Sequence, residues 1–154
     1  MRERTLVLIK PDAVQRRLIG EIIRRFEAKG LDMIAMKMLR FNEALTRALY
    51  GQYADQPFYA ELSRFIQSGP CVAMVIEGED AIALVRKMMG ATRPADAEPG
   101  TIRGDFANDT TANIVHGSDS PRTAKREIPL FFSKAELFGT DRTGSHRRLM
   151  VVGL

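Results

Sequence analysis

Hydrophobic residues form two short, continuous runs, and a third segment alternates in polarity. The runs at residues 5–10 and 71–76 predict buried β-strands. Residues 31–39 alternate, so a strand is expected there with Ile34, Met36 and Met38 on one face. A brief fourth strand is predicted over residues 113–115, where two of the three side chains are β-branched.

Between these strands, apolar residues recur at helical spacing. Residues 14–29 and 81–89 each predict a helix with one apolar face. Asn42 is expected to cap a helix that runs to Tyr50, and Pro57 is expected to open the next one. The middle of the chain therefore contributes a pair of helices between two strands.

The last third of the chain contains a segment without periodicity and then a helix start. Residues 91–112 predict a long loop, and long loops inside compact domains are usually functional. Ser120 and Pro121 together predict an N-cap followed by the first helical position. Pro129 is expected to kink or end this helix because it lacks a backbone donor.

The order of these elements indicates an α/β (α+β) fold. With the middle helix pair set aside, it is the ferredoxin-like β-α-β-β-α-β arrangement, a four-stranded antiparallel sheet with covering helices on one face. A length of 154 residues favours a single domain spanning residues 1–154, with a basic tail from about residue 139.

The composition of the chain limits the classes of binding partner that are expected. The net charge of +4 and pI of about 9.5 suit either nucleic acid or small anionic ligands, and small phosphates are favoured because no arginine-rich helix is present. No apolar run approaches the roughly 20 residues that span a bilayer, so no membrane association is expected. The start of the chain does not resemble a signal peptide, and Cys71 is the only cysteine. A cytoplasmic location is expected.

His116 is the first candidate for chemistry. It lies between a predicted strand and a helix N-terminus, where unpaired N–H groups favour an anion. A histidine in such a place is either a nucleophile toward phosphate or a residue that packs in the turn, and this stretch alone leaves both open.

Glycine-rich phosphate-binding sequences are absent from the chain. No two glycines are spaced as G-x-G and no glycine precedes a lysine, so the P-loop and the dinucleotide fingerprint are excluded. Side-chain cations would have to hold a phosphate, and Lys10, Arg86 and Arg103 are the candidates. Each of them alone is more commonly a solvated surface charge.

Four motifs together resemble the nucleoside diphosphate kinase family, in register from about residue 4 to residue 136. The motifs are KPDAV at residues 10–14, GP at 69–70, GTIRGDF at 100–106 and NIVHGSDS at 113–120. The resemblance implies transfer of the γ-phosphoryl group of a nucleoside triphosphate to a nucleoside diphosphate, by a ping-pong route through phosphohistidine.

The resemblance also assigns residues. His116 matches the phosphorylated histidine, Glu127 the carboxylate that orients its ring, and Ser118 the hydroxyl bonded to that carboxylate. The remaining matches are Lys10 and Asn113 at the ribose 3′-hydroxyl, with Lys10 also at the phosphates, Arg86, Thr92 and Arg103 around the β- and γ-phosphates, Tyr50 near the transferred group, and Phe58 with Leu62 at the base.

The resemblance also implies a metal and partners. Mg²⁺ is expected to be held mainly by nucleotide phosphates and waters, with contact to Asp119 allowed through water. Ribonucleotides and deoxyribonucleotides of every base, ATP, GTP, CTP and UTP among them, are expected as substrates. A homo-oligomer is expected, as a dimer, tetramer or hexamer.

Three residues depart from the family pattern. Thr110 replaces an aliphatic residue at the far side of the base, Tyr53 replaces a histidine near the α-phosphate, and Pro129 is unusual in the final helix. Two rival hypotheses are a nucleotide-sensing or DNA-binding member of the fold, suggested by the basic pI, and a structural subunit without activity. The complete set of matching residues argues against the second, and nucleic acid remains a secondary partner.

Overall fold

The structure, a computed structural model, describes residues 1–139. Its sheet has four strands in the order β2-β3-β1-β4, and every neighbouring pair is antiparallel. The strands are β1 Arg2–Ile9, β2 Asp32–Arg40, β3 Pro70–Glu79 and β4 Val115–Gly117. This is the ferredoxin-like sheet that the sequence predicts, in a single domain.

Seven α-helices surround the sheet in the described residues. They are α1 Pro11–Gln15, α2 Ile19–Ala28, α3 Glu43–Tyr50, α4 Tyr59–Ile66, α5 Ala81–Met89, α6 Ile102–Phe106 and α7 Pro121–Phe131. Short 3-10 helices lie at Gly51–Tyr53, Pro94–Asp96 and Lys134–Glu136. None of the helices in residues 1–139 combines the length and apolar character needed to cross a membrane.

Both faces of the sheet are covered, which explains why β1 and β3 are apolar without interruption. Leu6 and Leu8 of β1 pack with α3, α4 and α7 on one face, whereas Val7 and Ile9 pack with α2, α5 and α6 on the other. The expectation that the helices lie on one face of the sheet holds only when the middle helix pair, α3 and α4, and α7 are set aside. The middle helix pair and α7 form the second layer.

The predicted helix over residues 14–29 is two helices. Arg17 has φ of 61°, in the left-handed region, and separates α1 from α2. The predicted apolar face survives within α2, where Ile22 and Phe26 are fully buried. The first of the two helices, α1, directly follows Lys10 and contacts β3.

A β-bulge at Ile34 changes which residues of β2 share a face. Met33 pairs with Ile76 of β3 but Ala35 pairs with Val75, so Ile34 is the extra residue. Ile34 and Ala35 are consequently both buried, whereas Met36 and Met38 are 52% and 59% exposed. The prediction that Ile34, Met36 and Met38 share one face is wrong.

The segment from residue 91 to residue 117 is more structured than expected. Residues 91–112 contain α6, whose first turn is capped by the Thr101 hydroxyl. The final strand begins at Val115 instead of residue 113, because Ile114 has φ of 78° and cannot continue an extended strand.

The N-terminus of α7 follows the sequence prediction. The Ser120 hydroxyl accepts from the Thr123 N–H, and Pro121 occupies the first helical position. Pro129 lies near the C-terminus of α7 but does not end it, because the helix continues to Phe131. The basic tail, apart from Gly139, lies outside the described residues.

Candidate active site

A cavity of about 460 Å³ gathers nearly all of the predicted site residues. It is lined by Lys10, Tyr50, Phe58, Leu62, Arg86, Thr92, Arg103, Asn113, His116, Asp119 and Glu127. Ser118 lies behind the wall, bonded to Glu127. Residues from six different elements and the loops between them therefore converge on one site.

A second, larger groove of about 1030 Å³ lies between the start of β1 and the outer side of α7. Its lining is mainly apolar, with Ile82, Ile128 and Phe132 among its walls. No histidine and none of the predicted site residues line it. We therefore assign the chemistry to the smaller cavity, where the charged groups meet.

His116 is held by a chain of hydrogen bonds. Its Nε2 lies 3.0 Å from Oε2 of Glu127, and the Ser118 hydroxyl donates to Oε1 of Glu127 at 2.6 Å. The Ser118 hydroxyl in turn accepts from the Leu6 N–H of β1 at 3.2 Å. Glu127 comes from the second turn of α7, so the Ser120 cap and the sheet together fix the ring.

The protonation state of Glu127 determines the tautomer of His116. Burial raises the pKa of this carboxyl, which is only 2% exposed, but hydrogen bonds from His116 and Ser118 more than offset it, and its pKa lies below the ordinary value. An ionised carboxylate accepts the proton on Nε2. Nδ1 then carries a free lone pair.

Tyr50 packs edge-on against the His116 ring, with ring centroids 5.9 Å apart. Its hydroxyl is buried and has no hydrogen-bond partner among the described residues. Burial raises the pKa of Tyr50, so the phenol stays protonated and can donate. A polar group of this kind beside a nucleophile suits an oxygen of a bound phosphate.

Lys10 and Asn113 form a pair at the end of β1. The Lys10 ammonium donates to Oδ1 of Asn113 at 2.7 Å, and the Asn113 amide donates to the Thr92 carbonyl at 3.1 Å. Burial, with the Arg103 charge, lowers the pKa of Lys10 to about 8. The ammonium is thus positioned and only weakly solvated, which strengthens its attraction to an anion.

Arg103 is anchored by three backbone carbonyls. It donates from Nε to Asn113, from Nη1 to Gly90 and from Nη2 to Val115, at 3.2, 3.0 and 2.7 Å. Burial, with the charge of Arg86, lowers the pKa of Arg103 to about 10. A guanidinium has five N–H groups, so two remain for a ligand.

Arg86 reaches the same corner from α5. Its Nη1 donates to the Gly117 carbonyl at 3.2 Å, next to His116. Arg86, Arg103 and Lys10 therefore place three cations around one histidine. That number of positive charges matches a polyphosphate and not a neutral ligand.

Phe58 stands at the mouth of the cavity. This residue is 47% exposed, and its ring centroid lies 5.7 Å from that of Tyr53. Leu62 follows one turn later on α4, and Thr110 lines the cavity with them. This aromatic and aliphatic edge, open to solvent, is the kind of surface on which a planar base stacks.

A comparison with protein-family models matches residues 3–137 to the model described as nucleoside diphosphate kinase. The chain belongs to the nucleoside diphosphate kinase family. Curated family members include one from Methanobrevibacter smithii, 54% identical over 89% of this chain and 91% of its own, and one from Halalkalibacterium halodurans, 55% identical over 91% and 95%.

Solved structures of family members agree with the fold. A halophilic nucleoside diphosphate kinase from Halobacterium salinarum, in complex with CDP, has a TM-score of 0.90 at 50% identity and covers 96% of this chain and 98% of its own. The Aquifex aeolicus enzyme has a TM-score of 0.86 at 41% identity, covering 89% and 99%. The chain is a phosphotransferase acting on nucleotides, and the predicted family, fold and activity are confirmed.

Protein ligands for a metal are sparse in this nucleoside diphosphate kinase. The described residues contain no group of three or more histidine, cysteine or acidic side chains placed to hold a metal ion. Asp119 lines the cavity, and hydrogen bonding with Thr123 lowers the pKa of its carboxyl, which favours the ionised form. One carboxylate near bound phosphates fits Mg²⁺, which commonly keeps several waters and few protein ligands.

Several site residues of the kinase were not singled out from the sequence. Gln52, Thr111 and Thr123 line the cavity as well. Asp12, part of the quoted KPDAV motif, was given no role, yet its carboxylate bonds the backbone immediately before the final strand. Its place in that motif, two residues after Lys10, was the available signal.

Proposed function

We propose that His116 is the nucleophile that carries the phosphoryl group from one nucleotide to the next. The observation that supports this most strongly is the hydrogen bond between His116 Nε2 and the Glu127 carboxylate. It engages one ring nitrogen and leaves Nδ1 for attack. Ser118 and the sheet support Glu127 from behind, so the ring is oriented before any nucleotide binds.

The proposed reaction has two halves. The Nδ1 lone pair attacks the γ-phosphorus, the bond from that phosphorus to the bridging oxygen breaks, and a nucleoside diphosphate leaves. The ring then carries positive charge, which the Glu127 carboxylate stabilises. In the second half, a β-phosphate oxygen of the acceptor attacks the same phosphorus, the N–P bond breaks, and His116 is regenerated.

Three cations would stabilise the charge on the transferred group. We assign Lys10, Arg86 and Arg103 to the phosphates, with Thr92 and the Tyr50 hydroxyl as donors to phosphoryl oxygens. All five line the cavity that contains His116. Lys10 and Asn113, already paired at 2.7 Å, are assigned to the ribose 3′-hydroxyl as well. Phosphoryl transfer depends mainly on such positioning and electrostatics.

Mg²⁺ is the proposed metal, held mainly by the nucleotide phosphates. When bound, it would neutralise part of the negative charge of the phosphates. The residue that supports this assignment is Asp119, whose carboxylate lines the cavity and can accept from a metal-bound water. Arg86 and Arg103 contribute the remaining neutralisation from the protein.

We propose broad specificity for the base. The assigned base contacts, Phe58 and Leu62, are a π-face and an aliphatic side chain, which discriminate little between bases. ATP, GTP, CTP and UTP and their deoxy forms would all serve. A preference above about 1000-fold, some 4 kcal/mol, would reveal a base-reading contact.

A homo-oligomer is also proposed. Strand β2 is an edge of the sheet, and Met36 and Met38 expose more than half of their surface on it. Exposed apolar side chains on an edge strand favour association with another chain. A cytoplasmic location is proposed as well, where nucleotide substrates are supplied, and cell fractionation tests it.

Initial-rate kinetics test the two-step route. Double-reciprocal plots against ATP at several concentrations of an acceptor such as dGDP should be parallel, because donor and acceptor occupy one site in turn. His116→Asn should abolish both half-reactions, whereas Glu127→Gln should slow them and leave the parallel pattern. Intersecting lines in the wild type would indicate direct transfer and contradict the proposal.

A further inference from the structure

The backbone at Ile114 adopts a conformation that its side chain disfavours. Its φ is 78°, and the Val115 N–H donates to the Asn113 carbonyl at 2.9 Å, which closes a γ-turn around Ile114. Positive φ in a β-branched residue is an outlier, and this form of γ-turn is rare and strained. The Ile114 side chain is fully buried. Strain that persists in a buried position must be held by the surrounding structure.

Groups from α1, from α6 and from Lys10, the residue between β1 and α1, hold the turn. Oδ2 of Asp12 accepts from the Ile114 N–H at 3.1 Å, and the Lys10 N–H donates to the Ile114 carbonyl at 2.9 Å. Arg103 donates to the carbonyls of Asn113 and Val115, on either side of Ile114. Among these contacts, the one to Asp12 is the only one made to the turn by a negatively charged side chain.

This turn determines where three site residues point. Asn113 opens it and bonds the Lys10 ammonium, so a relaxed turn would move that amide away from Lys10. His116 follows two residues later, in the middle of β4, where it pairs with Leu8 of β1. A change of backbone angle at Ile114 would therefore be transmitted both to the cation pair and to the nucleophile.

We propose that Asp12 is a positioning residue, whose carboxylate holds the strained γ-turn at Ile114 and thereby sets Lys10, Asn113 and His116 for phosphoryl transfer. The inference rests on the proposed role of His116. Asp12 needs no contact with the nucleotide to act in this way. It lies in the first turn of α1, between the buried residues Pro11 and Ala13, and α1 contacts β3, so Asp12 is a rigid anchor.

Removing the carboxylate and removing the strain should have opposite effects. Asp12→Ala leaves the turn free to relax, and misplacement of site residues by about 1 Å can lower the rate about 100-fold. Asp12→Asn keeps a side-chain oxygen that can accept the same N–H, so its rate should stay within about tenfold of the wild type. Glycine tolerates positive φ without strain. Ile114→Gly in the Asp12→Ala background should therefore recover at least about tenfold.

The measurement is the single-turnover rate of phosphohistidine formation at saturating ATP, in the full chain. Four variants are compared with the wild type, namely Asp12→Ala, Asp12→Asn, Ile114→Gly and the Asp12→Ala/Ile114→Gly double variant. Thermal melts establish that each is folded at the assay temperature. A purely structural contribution of Asp12 would lower the melting temperature without rescue by glycine at position 114.

If the wild type forms the adduct, two results would overturn this inference and leave the proposed function intact. One is Asp12→Ala at the wild-type rate, and the other is a double variant as slow as the two single effects multiplied together. If Ile114→Gly does not fold, the comparison of alanine with asparagine at position 12 decides, because equal losses would contradict a hydrogen-bonding role. A wild type without any adduct would overturn the proposed function and this inference with it.

Discussion

At the scale of single residues, the surroundings of Lys10 disfavour the charged form of its side chain. Burial and the neighbouring Arg103 lower its pKa to about 8, while the charge of Asp12 acts in the opposite direction. A lysine loses its charge as the pH rises through its pKa. Because the charged form is the one that binds phosphate, kcat/KM of the free enzyme should fall as the pH rises through about 8.

The control for this pH dependence is Lys10→Arg. A guanidinium stays charged throughout this range, so the limb near pH 8 should disappear even if the overall rate falls. Bound phosphates favour the ammonium form, so the corresponding limb in kcat should lie at higher pH than in kcat/KM. A wild-type kcat/KM that stays flat to pH 10 would show that Lys10 is not needed in its charged form.

The identities of the site residues could be predicted from the sequence, but the hydrogen bonds and backbone conformation that position them could not. The NIVHGSDS and KPDAV motifs named His116 and Lys10 by resemblance. Nothing in these motifs indicates that Arg103 donates three hydrogen bonds to backbone carbonyls. The γ-turn at Ile114 runs against the local preference of a β-branched residue, so local rules predicted a strand there.

At the scale of elements, α3 offers a direct test of a capping prediction. The Asn42 side chain accepts from the Leu45 N–H at 2.8 Å. Asn42→Ala should lower the free energy of unfolding by about 1 kcal/mol, because a backbone donor at the helix start loses its partner. Asn42→Asp is the matched control and should keep most of the stability in chemical denaturation. Equal stability of the alanine variant and the wild type would show that water replaces the cap without cost.

The element boundaries that failed share a physical cause. Apolar periodicity gave the faces of α2 and α5 because it reports burial. It is blind to single residues that change the backbone path, such as Arg17 between α1 and α2 or the bulge at Ile34 in β2. In both places a single residue departs from regular helix or strand geometry, which a pattern of apolar residues does not report.

At the scale of the whole molecule, the exposed edge of β2 should govern assembly. Met36→Lys/Met38→Lys places two charges on this edge and should shift the sedimentation coefficient toward that of the monomer, since charges on an edge strand oppose pairing. Ala60→Lys, on the exposed surface of α4, is a control that should leave assembly unchanged. An unchanged oligomer in the double variant would place the interface elsewhere.

The active site is formed by segments that lie far apart in the sequence. Lys10 follows β1, Tyr50 ends α3, Arg103 belongs to α6, His116 lies in β4 and Glu127 in α7. One set of cations surrounds one histidine in the described part of the chain. This arrangement predicts that donor and acceptor use the same site at different times, with the phosphoryl group held on His116 between them.

Intact-mass analysis after mixing the protein with ATP and no acceptor tests this central claim most directly. The wild type, and His146→Asn as a control for the other histidine, should each gain one phosphoryl group per chain, whereas His116→Asn should gain none. The adduct should be labile in acid and stable in base, as an N–P bond is, and should disappear when any nucleoside diphosphate is added. A phosphoryl group on serine or on His146, or rapid turnover by a wild type that never carries an adduct, would contradict the mechanism.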